Sequence, residues 1–175
     1  MHGKAFALVA STRLLLPLLL PFLACVGCGH SPPPPCTGPE PISVMLKAGE
    51  PMNPDDTGKS FPTIVRVYLL KSAGILETAS ADELLRGDRE LLGSELLDMQ
   101  EVTVKPASYE RLSFKRQDNA RAVAVVALFR APVGNTWRLI STLPPPDADH
   151  CHKTQQPAGP RIGVVLEGSR VSTSR

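Results

Sequence analysis

The chain has 175 residues, a formal net charge of +2, and only 5% aromatic residues. A charge this close to neutral provides no basic footprint for nucleic acid, so no nucleic-acid partner is expected. Once a leader segment is removed, the remaining length fits a single domain of ordinary size.

The first 28 residues have the organisation of a bacterial lipoprotein signal peptide. A basic start with Lys4 and Arg13 precedes an apolar run over residues 14–24, and Cys25 and Cys28 follow it. The run is too short, and too often interrupted by proline, to cross a bilayer of ~30 Å as a helix. It therefore predicts export, cleavage of the leader and attachment of lipid to a cysteine.

Two cysteines compete for that lipid, because each follows a small residue. If Cys28 is acylated, Cys25 leaves with a signal peptide over residues 1–27, and the mature chain keeps Cys36 and Cys151. An even pair suits an oxidising compartment, so we expect these two to form a disulfide. The prediction is lipidation at Cys28, with Cys25 as the alternative and secretion without lipid as a third reading.

The segment after the anchor predicts both location and reach. Gly29 stands where an Asp would favour inner-membrane retention, by analogy with enterobacterial sorting, so we expect the periplasmic face of the outer membrane. Residues 28–41 are rich in proline and predict a polyproline-like spacer that rises ~3.1 Å per residue. The folded domain is expected over residues 42–175.

Short runs of alternating apolar and polar residues, separated by turn formers, indicate β-strands in that domain. The alternating runs are 42–47, 65–69, 102–104, 112–114, 137–141 and 162–166, with a last short strand through Val171. A continuous apolar run at 121–129 predicts a central strand covered on both faces. Residues 105–108 resemble a hairpin turn. Seven to eight strands predict an all-β sandwich.

One segment carries helix signals instead. Ser80 and Glu83 have the spacing of a capping box, which predicts a short helix that stops near Gly87. A second helical turn is expected from Leu91 to Leu97. The sandwich should therefore carry a small helical insertion between its second and third long strands.

Several segments resemble the outer-membrane lipoprotein family of the type VI secretion system (TssJ, VasD or SciN). Residues 52–71 resemble the family signature, an Asn-Pro-Asp loop with a glycine, then a proline and a strand of the form Val-Val-Arg-Ile-Tyr-Gln-Leu-Lys. Residues 92–97, 125–130 and 137–138 resemble three further family motifs in the same order. The resemblance covers about residues 42–167 and agrees with the independent lipoprotein signal.

The resemblance implies a transthyretin-like β-sandwich whose first interstrand loop, residues 48–62 here, docks onto the periplasmic part of the inner-membrane protein TssM. The loop's turn formers and charged side chains suit an ordered docking surface, although most polar loops are merely solvated. The expected partner-binding residues are Asn53, Pro54, Asp55, Asp56, Gly58 and Lys59.

The spacing of the His, Cys and Asp residues near the C-terminus argues against a shared metal site. In an extended segment, His150 and His152 point to one side, away from Cys151, which spoils a shared site with Asp147 and Asp149. No nucleophile elbow, phosphate-binding glycine loop or His-Glu-x-x-His helix is present in the sequence. We therefore expect no metal, no cofactor and no enzyme activity.

The sequence, with its resemblance, predicts an outer-membrane lipoprotein that holds TssM and so links two membranes. Two alternatives stay open at this point. One is a periplasmic lipoprotein that binds a soluble ligand with the same sandwich, and the other is a transthyretin-like hydrolase.

Overall fold

The computed structural model of the chain describes residues 39–147 and 159–174. In chain order the elements are β1 (Pro41–Met52), β2 (Thr63–Leu70), α1 (Gly74–Thr78), α2 (Ala81–Leu92), a 3₁₀ turn (Gly93–Glu95), β3 (Leu96–Val104), β4 (Tyr109–Lys115), β5 (Ala122–Ala127), β6 (Arg138–Thr142), β7 (Arg161–Gly168) and β8 (Arg170–Thr173). The predicted β-sandwich with a helical insertion between β2 and β3 is confirmed. The expected leader, both candidate lipidation sites and the expected disulfide lie outside the described residues. Cys25, Cys28, Cys36 and Cys151 therefore stay predictions.

The strands form two sheets of four. Sheet 1 has the order β4-β1-β7-β8, and sheet 2 has the order β3-β2-β5-β6. β1 runs antiparallel to β4 and parallel to β7, whereas all other neighbours are antiparallel. The first strand of the domain is thus an inner strand, held on both edges.

The core lies between the sheets and follows the alternation read from the sequence. Ile42, Val44 and Leu46 on β1 are at most 1% exposed, and the residues between them face outward. All six residues of β5 are buried, as expected for a strand covered on both faces. The buried cluster extends from Ile42 to Val171, so the sandwich contains its own hydrophobic core.

The helical insertion covers the outer face of sheet 2. Its leucines Leu76, Leu84 and Leu92 are buried in the common core. The buried Tyr68 hydroxyl of β2 donates a hydrogen bond of 2.8 Å to Asp88 Oδ2 in α2. Burial, followed by this contact with the carboxylate, raises the pKa of Tyr68. None of the helices within the described residues combines the length and the apolar character needed to cross a membrane.

The capping box is present, and the first helical segment ends at Gly87 as expected. Ser80 Oγ accepts from the Glu83 N–H, and the Glu83 carboxylate accepts from the Ser80 N–H at 2.8 Å. The chain departs from helical geometry at Gly87, and α2 then resumes as far as Leu92. The expected second helical turn through residue 97 is wrong in its end, because β3 pairs with β2 from Leu96 onward.

The five-residue helix α1 was not predicted. The Arg138 guanidinium at the start of β6 donates hydrogen bonds to three carbonyls of this segment, those of Leu76, Glu77 and Ala79. A cation near the last carbonyls of a helix is stabilising, since those groups have no partner within the helix. The long-range Arg138 contact therefore supports a helix too short to be evident from local sequence.

The hairpin expected at residues 105–108 is wrong. β3 pairs with β2 in sheet 2, whereas β4 pairs with β1 in sheet 1. The turn therefore carries the chain from one sheet to the other. Both flanking strands alternate as hairpin strands do, so the local pattern cannot distinguish the two connections.

Candidate docking loop

The loop between β1 and β2 is shorter than expected. β1 continues to Met52, which pairs with Gly168 of β7 after an irregularity that follows Ala48. The Asn53 N–H then donates to the Gly168 carbonyl at 2.7 Å. The expected boundaries of 48–62 are corrected to 53–62, and this segment is called the docking loop below.

Asn53 closes the base of the docking loop. The residue is 3% exposed and has a φ of 47°, a left-handed conformation that Asn adopts more readily than most residues. Its Nδ2 donates to the Pro62 carbonyl at 3.1 Å, and its Oδ1 accepts from the Arg130 N–H at 2.9 Å. The side chain expected to face the partner is therefore directed inward, where it joins the two ends of the loop to the segment after β5.

Asp55 organises the tip of the loop. Its Oδ1 accepts from the Thr57 N–H at 2.9 Å, the Thr57 hydroxyl at 2.7 Å and the Lys59 N–H at 3.0 Å. The Thr57 hydroxyl is the main cause that lowers the pKa of Asp55, with backbone N–H groups adding to it. Gly58 supplies the positive φ of 85° that this tight turn requires. The tip is thus fixed by its own hydrogen bonds.

The outward side of the docking loop carries charge of both signs. Asp56 and Lys59 are exposed, and Pro54 is half-buried. The half-buried Phe61 ring lies between two cations, with Lys59 Nζ and Arg130 Cζ each 5.4 Å from its centroid. Such cation–π contacts align side chains without removing them from solvent. The result is an ordered, exposed patch with one acidic and two basic side chains.

Sequence reasoning placed the six expected docking residues in one loop, and the structure brings them together there. It missed Phe61 and Arg130, which complete the patch. Arg130 occurs in one of the motifs that carry the family resemblance, but its 77-residue separation from Asn53 gave no local sign of the contact.

The ordered loop and its exposed charges suit protein docking. Nothing in residues 39–147 and 159–174 groups three or more His, Cys, Asp or Glu side chains as a metal site would need. The His150, Cys151 and His152 segment lies outside the described residues. An ordered loop with exposed charges offers the low entropy cost on binding that stable interfaces need.

Known proteins resemble this chain over most of its length. The sequence profile of the family described as "Type VI secretion lipoprotein, VasD, EvfM, TssJ" matches residues 40–156. No curated protein sequence matches the chain.

Three solved structures show the same fold. Lip of Serratia marcescens, described as a membrane-bound component of the type VI secretion system, matches with a TM-score of 0.69 and 24% identity, over 78% of this chain and 99% of that one. The lipoprotein TssJ1 of Pseudomonas aeruginosa matches with a TM-score of 0.63 and 21% identity, over 78% and 98%. A chain in a structure described as the TssM C-terminal domain from EAEC matches with a TM-score of 0.60 and 20% identity, also over 78% and 98%.

Proposed function

The chain belongs to the type VI secretion lipoprotein family, and on that premise we propose that it links the outer membrane to TssM without catalysis of its own. An acylated cysteine, Cys28 or alternatively Cys25, holds one end of the protein in the outer membrane on the periplasmic side. The docking loop binds the periplasmic domain of TssM. Lipid and loop together make the protein a tether between two membranes.

The observation that carries this proposal is the docking loop itself. Its base is closed by Asn53 and its tip by Asp55, yet its outward residues remain exposed. A loop that is rigid before binding loses little conformational entropy when a partner arrives. The fold shared with a chain in the structure described as the TssM C-terminal domain supports TssM as that partner.

The expected site residues divide into two roles. Asn53, Asp55 and Gly58 support the loop, because their side chains or backbone angles fix its shape. Asp56 and Lys59 are exposed, and they are proposed to contact TssM together with Pro54, Phe61 and Arg130.

The test is a double substitution, Asp56→Ala with Lys59→Ala. Loss of two contact residues in a small interface should weaken binding to the TssM periplasmic domain about tenfold or more. Isothermal titration calorimetry of the chain starting after Cys28 measures this affinity, and circular dichroism checks that the sandwich stays folded. Because opposite charges are removed together, net charge is unchanged, and a loss of affinity reflects the local contacts.

The matched control is Lys71→Ala with Asp118→Ala. These residues also form an opposite-charge set, but they lie near the opposite end of the sandwich, where Arg121 bonds back to Leu70 and Asp118. The control should bind TssM as the unchanged chain does. Equal affinity for all three proteins would assign TssM binding to another surface.

Lipidation has its own test. Metabolic labelling with a palmitate analogue should mark the unchanged protein but not Cys28→Ser, which should then appear in the soluble periplasmic fraction. Labelling that persists in Cys28→Ser and is lost in Cys25→Ser would move the anchor to Cys25.

A further inference from the structure

The two sheets differ in what covers their outer faces. The outer face of sheet 2 lies under α1 and α2, as the hydrogen bonds from Tyr68 to Asp88 and from Arg138 to the Leu76 carbonyl show. The described helices leave the outer face of sheet 1 open. Met45 of β1 is 42% exposed there, and Tyr109 of β4 is 68% exposed.

This open face is strongly basic. On sheet 1 the side chains that alternate with the buried ones face outward, and strand pairing places them side by side. The outward basic residues are Lys47, Arg111, Lys115, Arg161 and Arg170. The outward acidic residue on these paired positions is Glu167, which lies opposite Arg170, and half-buried Glu110 of β4 borders the same face. The charge of the face thus differs sharply from the near-neutral balance of the whole chain.

Two of the arginines form a cup. Arg111 of β4 and Arg161 of β7 lie on the strands that flank β1, and together with Ser43 they line a cavity of about 240 Å³. Strands two positions apart are about 10 Å from each other, a span that two arginine side chains can close around one phosphate. Neither guanidinium has a hydrogen bond or ion pair with any described residue. None of the described residues that line this arginine cup is acidic.

An apolar groove of about 290 Å³ lies beside the arginine cup. Met45 and Tyr109 line it together with Glu110, and the Ser174 side chain occupies the space beside Gly163 of β7. Lys47 Nζ lies 5.9 Å from the centre of the Tyr109 ring. Exposed tyrosine next to lysine is typical of protein surfaces at a membrane interface, where the ring sits at headgroup level.

The basic charge of the face and the reach of the tether favour a membrane surface as the partner of the arginine cup. Pro41, the first residue of β1, lines the arginine cup. It follows Cys28 by 13 positions, since 41 − 28 = 13, and even a fully extended polyproline spacer of that length reaches only ~40 Å. The lipid anchor therefore keeps this end of the sandwich within reach of the membrane surface, while the docking loop lies at the other end of β1.

We propose that the outer face of sheet 1 binds anionic phospholipid headgroups, with Arg111 and Arg161 taking a phosphate in the arginine cup. Lys47, Lys115 and Arg170 add attraction for the negative surface, and Tyr109 and Met45 rest at the glycerol level. The proposal rests on the membrane anchoring proposed above. Such binding would give the tethered domain a defined orientation on the bilayer.

The test uses the chain that starts after Cys28, which lacks acyl lipid but keeps the whole core from Ile42 to Val171. Cosedimentation is measured with vesicles of phosphatidylcholine alone and with roughly 30% phosphatidylglycerol. Binding is expected only to the anionic vesicles and should weaken as salt is raised. Arg111→Gln with Arg161→Gln should lower the partition coefficient roughly thirtyfold, and Tyr109→Ala should lower it further.

The matched control is Arg86→Gln with Arg89→Gln, which removes the same charge from exposed positions on α2. This control should bind the anionic vesicles within about twofold of the unchanged chain. Equal loss in both double variants would overturn the proposal, because net charge alone would then explain binding. Binding that ignores phosphatidylglycerol, or no binding at all, would overturn it as well.

Analytical ultracentrifugation without vesicles tests whether a second copy of the chain occupies this face instead. A concentration-dependent dimer that Arg111→Gln with Arg161→Gln dissolves would assign the face to a second copy of the chain and overturn the lipid proposal. TssM titration in solution requires neither vesicles nor the arginine cup. Failure of the lipid proposal and failure of the TssM proposal are therefore separate results.

Discussion

Asn53 shapes the docking loop from within. Its amide group donates to the Pro62 carbonyl at one end of the loop and accepts from the Arg130 N–H. The Asn53 residue is only 3% exposed. Polar groups removed from water are costly when they lose a partner. The loop's shape is therefore coupled to the fold through one buried side chain.

Asn53→Ala should destabilise the domain by about 1–3 kcal/mol, because the Arg130 N–H loses its acceptor and alanine disfavours the positive φ. Chemical denaturation in urea measures the change in unfolding free energy. Asn53→Gly tolerates the positive φ and should recover part of the loss. Asp56→Ala, at an exposed position three residues on, should change stability by no more than about 0.5 kcal/mol. An equal cost at residues 53 and 56 would contradict this division of roles.

The sequence identified Asn53 as important but not its role. An Asn-Pro-Asp stretch predicts a turn because these residue types favour turns locally. The inward direction of the Asn53 side chain depends on Arg130, which lies 77 residues later in the sequence. Arg130 is close to Asn53 only because β5 pairs with β2. Local composition therefore predicts the loop, and tertiary packing decides which of its residues are exposed.

At the scale of elements, a polar network centred on Asp88 attaches α2 to sheet 2. The Tyr68 hydroxyl donates to Asp88, and Arg66 contacts the same carboxylate at 3.2 Å and Glu101 at 2.7 Å. Asp88 is only 9% exposed, so its carboxylate needs both donors. The helix is therefore held in register on the strand by a buried polar network as well as by leucines.

This network predicts that the unfolding free energy depends on pH in the alkaline range. The pKa of Tyr68 is raised above its ordinary 10.0, so the folded state holds the phenolic proton more tightly than the unfolded state does. Its stabilisation is fully present below pH 10 and declines as the pH rises past that value. Tyr68→Phe removes the hydroxyl and should cost about 1 kcal/mol near neutral pH.

The measurement is the unfolding free energy of both proteins between pH 7 and about pH 11. The stability difference between the unchanged chain and Tyr68→Phe should be constant up to about pH 9.5 and then shrink. All other ionisable groups are common to both proteins, so their contributions cancel in the difference. A difference independent of pH would show that the Tyr68 proton is not linked to folding.

Elements with strong periodicity were predictable, and their pairing was less so. The alternation in β1 and β7 and the apolar run of β5 reflect which residues are buried, and hydrophobic periodicity predicts this from the sequence alone. The connection at residues 105–108 was wrongly predicted as a hairpin, because the strand with which β3 or β4 pairs depends on the whole sandwich. α1 was missed because its five residues depend on Arg138, which follows about 60 positions later.

At the scale of the molecule, a buried ion pair secures the start of the domain. Arg116, just after β4, contacts Glu40 at 2.8 Å, with side-chain exposures of 2% and 8%. Its guanidinium also donates to the Pro144 carbonyl, just after β6. One side chain thus connects the first residues of the domain, sheet 1 and the end of sheet 2.

Glu40→Gln should destabilise the domain by about 3–5 kcal/mol, because it leaves the buried Arg116 charge without its counter-ion. Urea denaturation measures the loss, and hydrogen exchange should show that the start of β1 opens first. Glu50→Gln, at an exposed position near the other end of β1, should be close to neutral. Similar small effects at both glutamates would mean that the buried pair contributes little to this fold.

β1 has a mechanical consequence in the proposed function. The membrane tether joins its first residue, Pro41, and the docking loop begins directly after its last, Met52. Tension between the outer membrane and TssM would therefore run along this one strand, over ~40 Å. Both edges of β1 are paired, with β4 and with β7, and those hydrogen bonds lie across the pull. They share the load in shear and must fail together, so slow forced unfolding of the whole sandwich, rather than progressive unzipping of one edge, sets the strength of the link.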